Sequence, residues 1–253
     1  MYQVDLGDCW RVVRIPARRR FIKPAAEYAN QNHAAKIHLA PGVIGYGASY
    51  GVIVCEWLKG YRSMTPMDVQ DDRIRKRLAV TLATLHHQTP PFANHIDPAQ
   101  ALEWNLIKPA TDDSRIKPLI GMAIERLEDI DPLQPVNCHG DPVCGNILID
   151  TTSAMNGMID CRLIDWEYSH ISHPAIDLAI VLEDIGADKS SRHQFVSDYN
   201  RQVKTCGGQG VSINDVSRLR AVTALISAAF AINHNACPGD VERLIETAEQ
   251  RLI

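Results

Sequence analysis

The chain has 253 residues, with 26 Lys+Arg against 30 Asp+Glu and a formal net charge of −4. That length buries a core without a disulfide or metal staple, and the charge balance offers no global basic field for nucleic acid or an anionic membrane. Cys9, Cys55, Cys138, Cys144, Cys161, Cys206 and Cys237 lack C-x-x-C spacing, which argues for reduced thiols over a disulfide framework or a zinc site. The N-terminus has no apolar signal-peptide core, and the longest uncharged apolar run, Ala221 to Ile232, is too short to span a bilayer, so a cytoplasmic protein is expected.

Tyr2 to Leu6 and Trp10 to Ile15 alternate with a strand period around Gly7-Asp8, which predicts a β-hairpin. Pro24 stands where a helix start tolerates it, and helix formers run from Ala25 to His38, carrying Glu27, until Pro41-Gly42 stops them. Strands over Val43 to Tyr46 and Gly51 to Glu56 follow, and a β-rich lobe closes at Leu58-Lys59-Gly60. From Asp68 the period turns helical, with Leu78, Leu82 and Leu85 on one face before His86-His87. Short strands are expected at Val136 to His139, Ile147 to Asp150 and Arg162 to Trp166. Helices are expected at Pro174 to Ile185, about Ser190 to Lys204, Ser212 to Ile232 and Asp240 to Leu252, with Ser212 and Asp215 spaced as a capping box. The expectation is an α+β chain of two lobes, β-rich over 1–60 and mostly helical over 61–253, with no internal repeat.

The chemistry concentrates in the short strands. In Cys138-His139-Gly140-Asp141-Pro142-Val143-Cys144-Gly145-Asn146 an Asp and an Asn stand five apart in a turn-rich loop. That is the spacing of a kinase catalytic loop, where the Asp accepts the hydroxyl proton and the Asn binds Mg²⁺. Asp165, at the end of the next strand, takes the place of the metal-binding Asp. Phosphoryl transfer needs alignment and charge neutralisation, and Mg²⁺ selects oxygen ligands such as Asn146 and Asp165. Singly, all three are ordinary turn or strand-end residues. Their order, spacing, flanking strands and preceding β-rich lobe carry the assignment jointly.

The segments His139-Gly140-Asp141 to Asn146 and Ile164-Asp165-Trp166-Glu167-Tyr168 resemble the aminoglycoside phosphotransferase and choline kinase superfamily, with wording similar to choline, ethanolamine and thiamine kinases. The resemblance implies a protein-kinase-like two-lobed fold with ATP between the lobes. It implies that Arg14 meets the α- and β-phosphates, that Glu27 pairs with it, and that the backbone of Glu56-Trp57-Leu58 holds adenine. Leu82 to His86 and Asp177-Leu178-Ala179 match further family segments. Arg14 stands in place of the family's Lys, as the resemblance implies for choline-kinase-like members; it keeps the charge and phosphate-matching donors at a different reach. The family also has a first strand and glycine turn for which nothing precedes Met1, so the small lobe is expected to lack that strand and its exposed edge to favour a homo-oligomer.

Trp104, Glu167 and Tyr168 are candidates for the acceptor pocket, since aromatic faces and carboxylates together favour a cationic ligand. Trp166 reads better as core. His139 reads as loop support, while His86, His87, His170 and His173 read as structural or solvated, and Arg18-Arg19-Arg20 as a solvated loop. The expected function is ATP- and Mg²⁺-dependent phosphorylation of a hydroxyl on a small, cationic metabolite. An aminoglycoside or sugar kinase of the same fold, or a weak nucleotide-binding pseudokinase, stands as the alternative.

Overall fold

The computed structural model describes residues 1–7, 9–16, 23–88, 90–150 and 159–253. Arg18-Arg19-Arg20 and Asp8 lie outside the described residues.

Strands β1 (Tyr2–Asp5) and β2 (Trp10–Arg14) form the predicted hairpin, with Tyr2 opposite Val13. Helix α1 (Pro24–Lys36) follows, opened by Pro24 at its first position, then β3 (Val43–Gly47) and β4 (Val52–Glu56). The four strands make one antiparallel sheet in the order β1-β2-β4-β3, so β2 carries Arg14 through its interior. Tyr28 of α1 stacks on Tyr46 of β3 with centroids 4.2 Å apart, which docks the helix on the sheet. Gly51, in the β3–β4 turn, has φ +68, and a Cβ there would stand 2.4 Å from Pro24, so the turn and the helix start meet only over a glycine.

The larger lobe contains β5 (Tyr61–Ser63), α2 (Asp72–Gln88), α3 (Pro98–Asn105), α4 (Lys117–Glu128), β6 (Val136–Cys138), β7 (Ile147–Asp150), β8 (Cys161–Leu163) and β9 (His170–Ser172). Helices α5 (Ala175–Asp184), α6 (Lys189–Thr205), α7 (Ile213–Asn233) and α8 (Pro238–Leu252) complete it. A β5-β7-β8 sheet and a β6-β9 pair carry the middle segment. Leu78, Leu82 and Leu85 of α2, all 0% exposed, pack with Ile147, Leu163, Trp166, Leu178 and Tyr199 beneath those strands. A second core joins α3, α4, α7 and α8 through Leu102, Leu119, Val222, Leu225 and Ile245. Among the described residues no helix is long and apolar enough to cross a membrane.

Several boundaries differ from expectation. Asp68 opens a short 3-10 turn, and α2 begins only at Asp72. β8 stops at Leu163 because Asp165 turns left-handed (φ 65, ψ 66) and Trp166 leaves the sheet line for the core. The short α3, capped by a reciprocal Asp97–Gln100 box, and the three-residue β9 add to the elements that the sequence pattern marks.

Candidate functional site

The loop after β6 is set by one buried carboxylate. Asp177 of α5, 0% exposed, accepts from His139 N at 2.7 Å and Gly140 N at 2.9 Å. Gly140 takes φ +82, and a Cβ there would lie 2.3 Å from Tyr168 O, so the chain passes this point only as glycine. Burial works to raise the Asp177 carboxyl, but hydrogen bonding and charge from His86, with the loop amide of Gly140, hold it below its usual value. His86 is itself fixed, Nε2 at 3.1 Å from Asp177 and Nδ1 at 2.7 Å from the Tyr199 hydroxyl. His86, Cys138 and Asp177 thus cluster as metal-ligand types, which sequence spacing does not suggest. Both imidazole nitrogens and both carboxylate oxygens already have partners there, so the cluster reads as a hydrogen-bonded anchor.

His139 ties this loop to the next. Its Nδ1 accepts from Asp141 N at 3.3 Å and its Nε2 donates to Ile164 O at 3.0 Å, one residue before Asp165. Burial pushes its imidazole down to about 4, so it stays neutral, in the tautomer that makes both bonds. Asn146 Nδ2 donates to the Asp141 backbone oxygen at 2.9 Å and to Asp141 Oδ2 at 3.0 Å. The β7–β8 register pairs Ile147 with Leu163, and Ile164 N donates to Asn146 O at 2.9 Å. Asn146 and Asp165 are thereby neighbours, although 19 positions separate them in the sequence.

From the small lobe, Arg14 Nε donates to Glu27 Oε1 at 2.9 Å, as the resemblance implies. The same guanidinium reaches Asp165 Oδ1 at 3.1 Å and bonds Glu167 through Nη2. Burial opposes the Arg14 charge, but Glu27, Asp165 and Glu167 raise its pKa above the ordinary value. Glu27 is lifted by burial, against the pull of Arg14. Asp141 is pushed up to about 7, by burial first and then by the negative charges of Asp165, Glu167 and Asp184, with the Asn146 bond opposing. Asp141 is thus a buried carboxyl gathered with other carboxylates near one guanidinium, a setting that disfavours its ionised form.

A profile of the phosphotransferase enzyme family matches residues 1–205. The chain belongs to that family. Choline kinase LicA from Streptococcus pneumoniae has the same fold, with a TM-score of 0.83 at 16% identity over 99% of this chain and 88% of that one. A choline/ethanolamine kinase family protein from Mesorhizobium loti gives 0.72 at 22% identity, covering 96% and 80%. The GDP complex of aminoglycoside 2'-phosphotransferase-IIIa gives 0.65 at 16% identity, covering 99% and 88%. Among curated protein sequences no match is found.

In this phosphotransferase the remaining candidates are placed as follows. Glu56 ends β4 and its Oε1 accepts from Gly42 N at 2.8 Å; Trp57, 41% exposed, and Leu58 continue as the linker toward β5. Trp166, 0% exposed, bonds Leu163 O and lies edge-on to His139, in keeping with the core reading. Glu167 lies against Arg14 and near Asp165, on the small-lobe side of the loop. Tyr168 is half-buried, its carbonyl accepting from His170 Nδ1 at 2.5 Å. Trp104 is half-buried on α3, which packs against α7 and α4. The residue that sequence reasoning missed is Asp184, an exposed acid whose Oδ2 accepts from Cys144 N at 2.7 Å and whose charge acts on Asp141. A signal was available: Glu183-Asp184 places two acids on the last turn of a helix, where the dipole disfavours them.

Proposed function

We propose that this phosphotransferase moves the γ-phosphoryl group of ATP onto the hydroxyl of a small alcohol bearing a positive charge, of the choline, ethanolamine or thiamine type. The observation that carries the reading is the convergence of Asp141, Asn146, Asp165 and Arg14 from three separate segments. The side-chain oxygens of Asn146 and Asp165 suit Mg²⁺, which prefers hard oxygen ligands. Burial lifts Asp141 first, and the negative charges of Asp165, Glu167 and Asp184 that add to it support a cation at this point. Bound there by Asn146 and Asp165, Mg²⁺ would neutralise charge on the phosphate oxygens.

Arg14, oriented by Glu27, offers paired donors to the phosphates. Glu56, Trp57 and Leu58 supply the linker backbone for the adenine edge. The Asp141 carboxylate, aligned by Asn146, accepts the acceptor's hydroxyl proton as the new O–P bond forms and the bond to the ADP leaving oxygen breaks. The acceptor's cation is drawn by Asp184, exposed beside the loop, with Trp104 and Tyr168 as candidate walls.

ADP release measured against choline, ethanolamine, thiamine, aminoglycosides, amino sugars and neutral alcohols tests the proposal, with Asp141→Asn as the blank. A small cationic alcohol is expected to give the highest kcat/KM. A neutral sugar or an anionic metabolite outperforming every cationic alcohol overturns the acceptor class. No ADP release with any alcohol overturns hydroxyl transfer itself.

A further inference from the structure

Glu183 and Asp184 are consecutive on the last turn of α5, and consecutive helical residues stand about 100° apart around the axis. The two carboxylates accordingly go separate ways. Asp184 caps Cys144 N–H, which opens the 3-10 turn Cys144–Asn146. Glu183 turns to α7 and α8, where its Oε2 lies 2.7 Å from Arg220 Nη2 and 3.3 Å from Arg251 Nε, and its Oε1 lies 3.3 Å from Arg251 Nη2. Arg220 is 3% exposed; burial lowers its pKa, Glu183 resists that, and Arg251 and Arg192 lower it further. A guanidinium held among like charges and out of water cannot release Glu183 without being left uncompensated. Both arginines lie beyond the residues 1–205 that the family profile matches.

We infer that Arg220 and Arg251 are positioning residues: by gripping Glu183 they fix the rotation of the α5 end, and so hold Asp184 on the turn that delivers Asn146 beside Asp141. Two C-terminal helices with no residue in the reacting cluster thereby set one of its walls. The meaning of this link rests on the proposed function, because that reading makes the 141–146 loop catalytic; its test does not.

The test is amide hydrogen exchange, resolved by residue with NMR on the full chain. Asp184→Ala sets the scale and is expected to speed exchange at Cys144 N–H by about 10-fold or more, the loss of a bond to a charged acceptor. Arg251→Gln and Glu183→Gln are expected to speed it by roughly 2- to 5-fold, the size set by a partly exposed ion pair. Arg251→Lys should restore part of the protection. The His139 and Gly140 amides, held by Asp177, should keep wild-type rates in all four variants. Unchanged exchange at Cys144 in Arg251→Gln and Glu183→Gln overturns the inference, and so does equal acceleration at all three amides, which marks general loosening. Because exchange is read without substrate or nucleotide, a failed acceptor panel changes neither the rates nor what they decide.

Discussion

Around Asp177 each charged or polar group meets a partner buried with it, whereas a few residues away, around Asp141, carboxylates face one another. The first region joins α2, α5 and α6 through Tyr199, His86 and Asp177, and its carboxyl sits below its usual pKa. The second gathers Asp141, Asp165 and Glu167 beside Arg14, and its central carboxyl is lifted to about 7. Both are hydrogen-bonded clusters on the same loop. The difference teaches that one end of the loop is arranged to stay put, while the other gathers carboxylates whose ionised forms disfavour one another.

The comparison breaks most severely at the anchor. Asp177→Ala strips the acceptor from two buried amides and from His86, so it should cost about 3–5 kcal/mol of stability and all measurable turnover. Urea unfolding and ADP release check both; a variant with wild-type stability would dissolve the distinction drawn above.

Asp141→Asn should do the opposite on one axis. Turnover should fall about 10²–10⁴-fold, the range for a positioned base. The folded-state pKa of Asp141 lies above its unfolded value, so the ionised form weakens the fold at high pH. The variant should therefore be more stable at pH 8, on the order of 1–2 kcal/mol once partial solvent access is allowed for. That gain should shrink as pH falls from about 7 to about 4, where the wild-type carboxyl takes up its proton. Equal melting temperatures at pH 8 would remove the claim that ionisation is disfavoured there.

Of the two residues assigned to the metal, Asp165 should matter more than Asn146, because it brings the negative charge. Asp165→Asn should weaken Mn²⁺ binding in the presence of a nucleotide by at least about 10-fold, and Asn146→Ala by less. Calorimetric titration ranks them, and the reverse order would reassign the roles.

The smallest expected effect sharpens the quiet side. In the Asp141→Asn background, acid sensitivity should come from the imidazoles. His139 is depressed to about 4 in the fold, so its contribution is complete above the unfolded value of about 6.5 and is lost as pH falls toward 4. His170 and His173 are shifted the same way by burial. Melting temperatures at pH 7.5, 6 and 5 should therefore decline stepwise. A flat profile would mean that these rings are protonated without penalty.

The sequence alone marked the hairpin, α1, short strands around the loop and Asp141, Asn146 and Asp165 as candidates, and the family resemblance added Arg14 and Glu27. Strand alternation, a proline-led helix and the Asp-to-Asn spacing are local, and local patterns survive in one dimension. The eight-residue α3, marked by a single capping box, carries too little period to stand out. What joins distant segments was decided only by tertiary structure. The cluster of His86 with Cys138 and Asp177, the place of Glu167 on Arg14, and the turning of Glu183 and Asp184 to different neighbours all depend on helix rotation and strand register. Asp165 shows the division within one residue: its spacing marks it as a metal ligand, but only the fold, holding Trp166 in the core and Ile164 on Asn146, forces it into the left-handed turn that brings it to Arg14.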